Sequence, residues 1–168
     1  MLDEVIAPKV STLDGSAFSN SGIKSITLPK LTSMGTYCFQ RATRLEEIHF
    51  AILTSTNQLV FNGCTNLKTI DMPKIVTIDD NSFNGCTSLE EVDLPSTLRN
   101  LGNYAFANAT SLRSVIIRST TMNYMPNTVF NKCTNLTDIY VGWAEGAVSG
   151  APWGATNATI HYGGNWEV

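Results

Sequence analysis

The chain contains nearly the same thirteen residues twice. FNGCTNLKTIDMP occupies residues 61–73 and FNGCTSLEEVDLP occupies residues 83–95, which begin 22 positions further on. Phe recurs through most of the chain at spacings of 21 to 24 residues, at Phe18, Phe39, Phe61, Phe83, Phe106 and Phe130. A period of this length predicts a repeat architecture, in which each unit packs only against its neighbours.

Each repeat contains a short pattern that is typical of a β-strand. A Leu follows each of the last five Phe residues by six positions, and a β-branched residue follows that Leu by three. The pattern L-x-x-[IV]-x-L alternates inward and outward side chains, and the Pro that often follows lacks the N–H needed for further pairing. Leu2 and Val5 begin the series, and Trp153 takes the Phe position of the last unit. The predicted strands lie near residues 2–7, 23–28, 45–50, 67–72, 89–94, 112–117, 136–141 and 158–162.

One unit of about 22 residues cannot bury its own apolar edge, so the units must stack. The predicted fold is an α/β solenoid: a right-handed coil of about eight turns, with one parallel β-sheet face and short helical or irregular return arms. Columns of Leu, Ile or Val, and Phe form its core. We expect a single domain over residues 1–168. Residues 1–141 are repeats that start inside a unit, and residues 142–168, with Trp143, Trp153 and Trp166, form an atypical last coil and C-terminal cap.

Charge and hydropathy exclude several classes of function. The chain of 168 residues has a net charge of -3, is 15% charged, and has no block of Lys and Arg, whereas nucleic-acid binding needs a clustered basic surface. No apolar run approaches the roughly 18–20 residues that span a bilayer, so membrane insertion is not expected. The first ten residues do not resemble a signal peptide.

The cysteines are expected to be buried thiols. Cys64, Cys86 and Cys133 occupy one position of the repeat that Ala42 and Ala109 fill in other copies, so this position requires a small apolar group. A disulfide between Cys64 and Cys86, on adjacent coils, stays open as an alternative. Zinc needs four converging ligands and no Cys-x-x-Cys is present, so neither a metal centre nor a cofactor is expected.

The outward positions of the predicted strands form two columns on the sheet face. Six of these sixteen residues are acidic and none is basic, and Asp71 is predicted to lie beside Asp93, where like charges oppose pairing. This cost favours a recognition surface for a cationic or hydroxyl-rich partner, with Tyr140 and His161 as an aromatic platform. A solvated polar face and a calcium site at the two aspartates are the alternatives. The candidate binding face comprises Glu47, His49, Asp71, Glu91, Asp93, Asp138, Tyr140 and His161.

Catalysis is not expected. The two histidines, His49 and His161, lie five predicted strand steps apart, which is roughly 24 Å, so they cannot share a site. His49 next to Asp71 imitates part of a catalytic triad, but no activated nucleophile is evident beside it.

The strand pattern followed by Pro, together with the arms LGNYAFANATSL and IDDNSFNGCTSL, resembles the BspA-like leucine-rich repeat class over nearly the whole chain. The closing segment APWGATNATIHYGGNWEV is similar to the ends of such proteins from gut Firmicutes and their phages. The resemblance implies a recognition protein without catalytic residues, located outside the cell, on the cell surface or on a virion.

We therefore expect a non-enzymatic recognition or adhesion module that binds a surface protein or glycan through the sheet face. The alternative is a structural spacer or stalk within a larger bacterial surface or phage tail protein. An uncapped N-terminal coil also predicts edge-to-edge self-association, because an uncovered strand edge is a template for pairing.

Overall fold

The computed structural model describes residues 3–164 and 166. Within these residues the chain forms twelve short strands and no helix. No segment of this part therefore has the helical length and apolar character of a membrane span. The strands are β1 (Glu4–Ile6), β2 (Thr12–Leu13), β3 (Ser25–Thr27), β4 (Ser33–Met34), β5 (Glu47–His49), β6 (Thr69–Asp71), β7 (Thr77–Ile78), β8 (Glu91–Leu94), β9 (Asn100–Leu101), β10 (Ser114–Ile117), β11 (Asp138–Val141) and β12 (Thr159–His161).

Eight of these strands form the predicted sheet face, one in each coil: β1, β3, β5, β6, β8, β10, β11 and β12. Every hydrogen-bonded pair among them is parallel, and the register matches the repeat. Ile48, for example, pairs with Ile26 on one side and Ile70 on the other. The predicted strand positions are therefore confirmed for the described residues, and Leu2 lies outside them.

The face differs from the expected single sheet in one place. Strands β1-β3-β5-β6 form one four-stranded sheet, and β8-β10-β11-β12 form another. No hydrogen bond joins β6 to β8, and their Cα atoms mostly lie more than 8 Å apart. The prediction that Asp71 pairs beside Asp93 is therefore wrong. We call this gap between β6 and β8 the seam.

The side opposite the face is continuous, because the Phe rings stack along the whole solenoid. The ring centroids of Phe61 and Phe83 lie 5.0 Å apart, and those of Phe83 and Phe106 lie 5.2 Å apart, at interplanar angles of 10° and 6°. Both distances lie in the range of favourable aromatic pairs. The small strand pairs β2–β4 and β7–β9 add hydrogen bonds on the same side. Adjacent coils at the seam are thus separated only at the front.

The return arms are turns. Of the two forms expected for them, the irregular form is therefore present, and no helical arm occurs in the described residues. In most arms the residues two positions before and two positions after the Phe have left-handed φ angles, as at Asn81 (56°) and Gly85 (76°). A residue with positive φ interrupts a right-handed helix. The arm amides instead bond to the next coil, as where the Phe83 N–H donates to the Ala105 carbonyl at 2.8 Å.

The last coil is covered by tryptophan. Trp153 is fully buried, and the nearly buried Trp143 meets it edge-on at 5.9 Å. Left-handed φ angles in this arm occur at Gly150, Trp153 and Gly154, so the arm departs from the flanking pattern of the other arms. The indole of Trp153 is part of the core. That residues 142–168 act as a cap stays a prediction, which these contacts support.

Candidate functional site

The outward residues of the eight face strands form two columns, as expected from the alternation of side chains in a strand. Within each four-stranded sheet the register places them side by side, for example Glu47 beside Thr69 and Tyr140 beside His161. The first five candidate residues are exposed, and the last three are partly buried: Glu47, His49, Asp71, Glu91 and Asp93, then Asp138, Tyr140 and His161.

His49 lies between two carboxylates. Its Nδ1 is 3.2 Å from Asp71 Oδ2 on the next strand, and its Nε2 is 3.6 Å from Glu47 Oε2 on its own strand. The predicted contact of His49 with Asp71 is thus confirmed. About half of each side chain is exposed, so these contacts contribute little to stability. Their effect is to hold the Asp71 carboxylate at a defined position on the face.

Arg118 is a face residue that the sequence analysis missed. Its guanidinium donates two hydrogen bonds to Asp93, Nε to Oδ1 at 2.7 Å and Nη2 to Oδ2 at 2.6 Å. The carboxylate hydrogen bond raises the Arg118 pKa above its ordinary value. Arg118 thus adds a basic group to the face from a position outside the two columns, which themselves contain no Lys or Arg. Arg118 follows β10 at the position where several other coils carry Pro, and this exchange was the available signal.

A third cluster lies on the last two strands. The ring of His161 stacks on that of Tyr140 at 4.3 Å and 12°, which confirms their predicted adjacency. His161 Nε2 is also 2.8 Å from Asp138 Oδ1, and the Thr137 hydroxyl donates to the other carboxylate oxygen of Asp138 at 2.8 Å. The His161 contact, followed by the Thr137 hydrogen bond, lowers the pKa of Asp138.

Trp166 extends this aromatic region toward the seam. The guanidinium carbon of Arg118 lies 5.5 Å from the centre of the Trp166 ring, a cation–π distance. Arg118 thus connects Asp93 to an aromatic side chain from the end of the chain. The stacked rings of Tyr140 and His161 each cover one face of the other, so only the opposite faces and the ring edges remain for a partner.

The four cysteines are free and buried. The thiols of the repeat position each donate to a Phe carbonyl of the preceding coil, as from Cys64 Sγ to Phe39 at 3.1 Å and from Cys86 Sγ to Phe61 at 3.2 Å. Burial raises the pKa of Cys64 to about 12 and that of Cys133 to about 11. These thiols are therefore core groups that stay protonated, and the Cys64–Cys86 alternative is not formed.

Neither a metal centre nor a catalytic cleft is assembled in the described part of the chain. No group of three or more His, Cys, Asp or Glu side chains among residues 3–164 and 166 is placed to hold a metal ion, and the calcium alternative at Asp71 and Asp93 lacks such a ligand set. A hollow of about 540 Å³ lies away from the face, between residues 122–127 and 147–150. Its lining contains no Asp, Glu, Lys, Arg or His side chain to transfer a proton.

The model of the BspA type leucine rich repeat region matches the chain in six copies, over residues 2–79 and 54–143. None of the curated proteins matches the sequence. Repeats of this type are non-enzymatic and generally serve in protein interaction or adhesion.

Several solved structures are similar to this one. A leucine rich repeat protein from T. pallidum is 23% identical with a TM-score of 0.77, covering 89% of this chain and 77% of its own. A leucine-rich repeat protein from Bacteroides ovatus is 19% identical with a TM-score of 0.82, and the match covers 95% of this chain and 42% of that protein. A leucine rich cell surface protein from Faecalibacterium prausnitzii is 17% identical with a TM-score of 0.64, and the match covers 82% of this chain and 47% of that protein.

The chain thus spans less than half the length of the last two of these proteins, and the similarity concerns the fold. The family match covers most of the chain, and the Phe, Leu and β-branched columns are the residues on which it depends. The chain belongs to the BspA type leucine rich repeat family.

Proposed function

We propose that this protein is a recognition or adhesion module that binds a surface protein or glycan through its sheet face. The observation that carries the proposal is a row of three held carboxylates along the exposed face. Asp71 contacts His49, Asp93 contacts Arg118 and Asp138 contacts His161.

This arrangement is not explained by stability. The side chains in all three contacts are between 36% and 57% exposed, and exposed ion pairs contribute little to the free energy of folding. The core lies on the inward side of the same strands and does not require these groups. Acidic and aromatic residues at fixed positions on strands suit binding, since a rigid element keeps them in the geometry that a partner needs.

The chemistry of the face favours a partner that offers cations or hydroxyl groups. Ionised carboxylates only accept hydrogen bonds, and the six carboxylates of the two columns outnumber the guanidinium of Arg118. Tyr140 and Trp166 add aromatic surface, which suits either a protein side chain or a sugar ring. We place the protein outside the cell, on a surface, in line with the cell surface description of the similar F. prausnitzii protein.

The test is a solid-phase binding panel of extracellular-matrix proteins, mucin glycans and whole bacterial cells. A Glu47→Lys, Glu91→Lys variant changes two exposed face carboxylates whose only ion pair within residues 3–164 and 166 is the 3.6 Å contact of Glu47 with His49. The matched control, Asp14→Lys with Glu145→Lys, makes the same change of charge on exposed residues away from the face. Melting curves establish that both variants fold.

We expect the parent protein and the control to bind a member of the panel, and the face variant to lose at least tenfold in affinity. Equal loss in both variants would mean that net charge, not the face, drives binding. If the parent protein binds no member of the panel, the proposal is overturned and the structural spacer or stalk is favoured instead.

A further inference from the structure

The seam leaves two parallel strand edges facing each other in the middle of the face. At the neighbouring β5–β6 junction the Thr69 N–H donates to Glu46, and the Phe50 N–H donates to Asp71. The equivalent donors at the seam are the amides of Glu91 and Met72, and neither has a backbone acceptor among the described residues. Both edges therefore have free donors and acceptors, the arrangement that an added strand requires.

The seam is wider than the spacing of two hydrogen-bonded strands. Neighbouring strands in a sheet lie about 4.8 Å apart, so a strand between two others needs roughly 9.6 Å. The Cα atoms of β6 and β8 mostly lie more than 8 Å apart. A hollow of about 360 Å³ occupies the gap, and a second of about 300 Å³ continues it toward the ends of both strands. Ile70 and Asp93 line both hollows.

The depth of the seam limits what can enter. The coils close behind it, where Phe61 and Phe83 stack at 5.0 Å and the Phe61 N–H donates to Ser82 at 2.8 Å. Ile70, which is only partly buried, Val92 and Ile116 are the apolar residues that line the larger hollow. An inserted strand would point alternate side chains at this narrow floor, so those side chains must be small.

The outward charges define the other half of the pattern. Asp71 and Asp93 stand on opposite sides of the seam, and Glu91 beside them forms no ion pair within the described residues. His49 contacts Asp71 from β5, and Arg118 contacts Asp93 from the end of β10. Each aspartate is therefore contacted from the side that faces away from the seam. Basic side chains on the outward positions of an inserted strand would lie between the two aspartates.

We propose that the seam binds an extended peptide strand with alternating basic and small side chains, paired through its main chain to both β6 and β8. The inference rests on the proposed function, because the seam lies within the same face, and it names the class of partner: a basic, extended segment of a protein. Main-chain hydrogen bonds would provide affinity, and the alternation of side chains would provide specificity.

The test uses a peptide of alternating Lys and Ala, with blocked ends, titrated into the ¹⁵N-labelled protein. We expect shifts of the amide signals in β6 and β8, and at least tenfold slower hydrogen exchange at Met72 and Glu91. The same peptide with every Ala nitrogen methylated keeps its charge but loses donors on one side, so it should bind at least tenfold more weakly. Equal binding of both peptides, or shifts elsewhere only, would overturn strand insertion.

A protein variant gives an independent outcome. Asp71→Lys should weaken peptide binding at least tenfold, whereas Asp14→Lys, with the same change of charge on a return arm, should not. A partner from the panel that binds the face but leaves exchange at Met72 and Glu91 unchanged would overturn the seam inference alone. Peptide insertion without any panel binding would support the seam and count against the proposed adhesion function.

Discussion

The β5–β6 junction and the seam are built from repeats of the same length, yet only the first is hydrogen-bonded at the front. Glu47 and Thr69 are 22 residues apart, as are Thr69 and Glu91. The Phe rings behind both junctions stack at similar distances, 5.2 Å for Phe39 with Phe61 and 5.0 Å for Phe61 with Phe83. The core therefore does not account for the difference.

The outward side chains do differ. At the bonded junction Glu47 faces Thr69, and His49 faces Asp71. Continuing this register across the seam would place Asp71 directly opposite Asp93, and like charges in that position destabilise a sheet. None of the hydrogen-bonded pairs on the face places two carboxylates opposite each other. The comparison indicates that the core sets the stacking of coils and that outward charge decides which strands bond.

Removal of a Phe ring tests the core side of this comparison and should have the largest effect. Phe83→Ala leaves a cavity in the fully buried stack and should cost about 3–5 kcal/mol of the free energy of unfolding. Phe39→Ala, at coils that are bonded at the front, should cost a similar amount. Only Phe83→Ala should also lower the cooperativity of denaturant unfolding, because no front hydrogen bonds join its coil to the coil of Phe61. Unchanged stability in Phe83→Ala would contradict the role of the stack.

Hydrogen exchange tests the front side directly. We expect the amides of Glu91 and Met72 to exchange about 100-fold faster than those of Thr69 and Phe50, which occupy the same positions one coil earlier. The reason is that Thr69 and Phe50 donate to backbone carbonyls across their junction, at 3.2 and 2.9 Å. Residue-resolved NMR measures all four amides in one sample. Equal protection would mean that the two junctions do not differ in solution.

The period of the repeat predicts much of this molecule because one physical rule acts at every coil. Stacked units must align their apolar columns, so the positions of the strands, the Phe stack and the contact of His49 with Asp71 follow from spacing alone. The thiol position follows too, since Ala replaces Cys64 and its equivalents. The family resemblance depends on these same columns, and it is equally well supported.

The features that the repeat did not predict arise where a competing interaction acts on one coil. We attribute the seam to repulsion between Asp71 and Asp93, and the consensus of the repeat does not reveal such a clash between two particular coils. Arg118 reaches Asp93 with a long side chain from a position outside the two columns. The arms are turns because left-handed residues flank Phe in most of them. Gly63 and Gly85 signalled this, but Arg41, at the same position with φ 54°, did not.

Asp71→Thr should produce the smallest effect and addresses the cause of the seam. Thr27 occupies the same column on a bonded strand, so Thr suits the position. Without the charge at residue 71, β6 and β8 can pair, which should raise the free energy of unfolding by about 0.2–1 kcal/mol and slow exchange at Glu91 and Met72. The matched variant Asp138→Thr removes a carboxylate between strands that are already bonded, together with its contact to His161, and should bring no gain. If the amides of Glu91 and Met72 stay unprotected in Asp71→Thr, repulsion between carboxylates does not part the strands. The cause must then lie in the packing of Ile70 and Val92 beneath them.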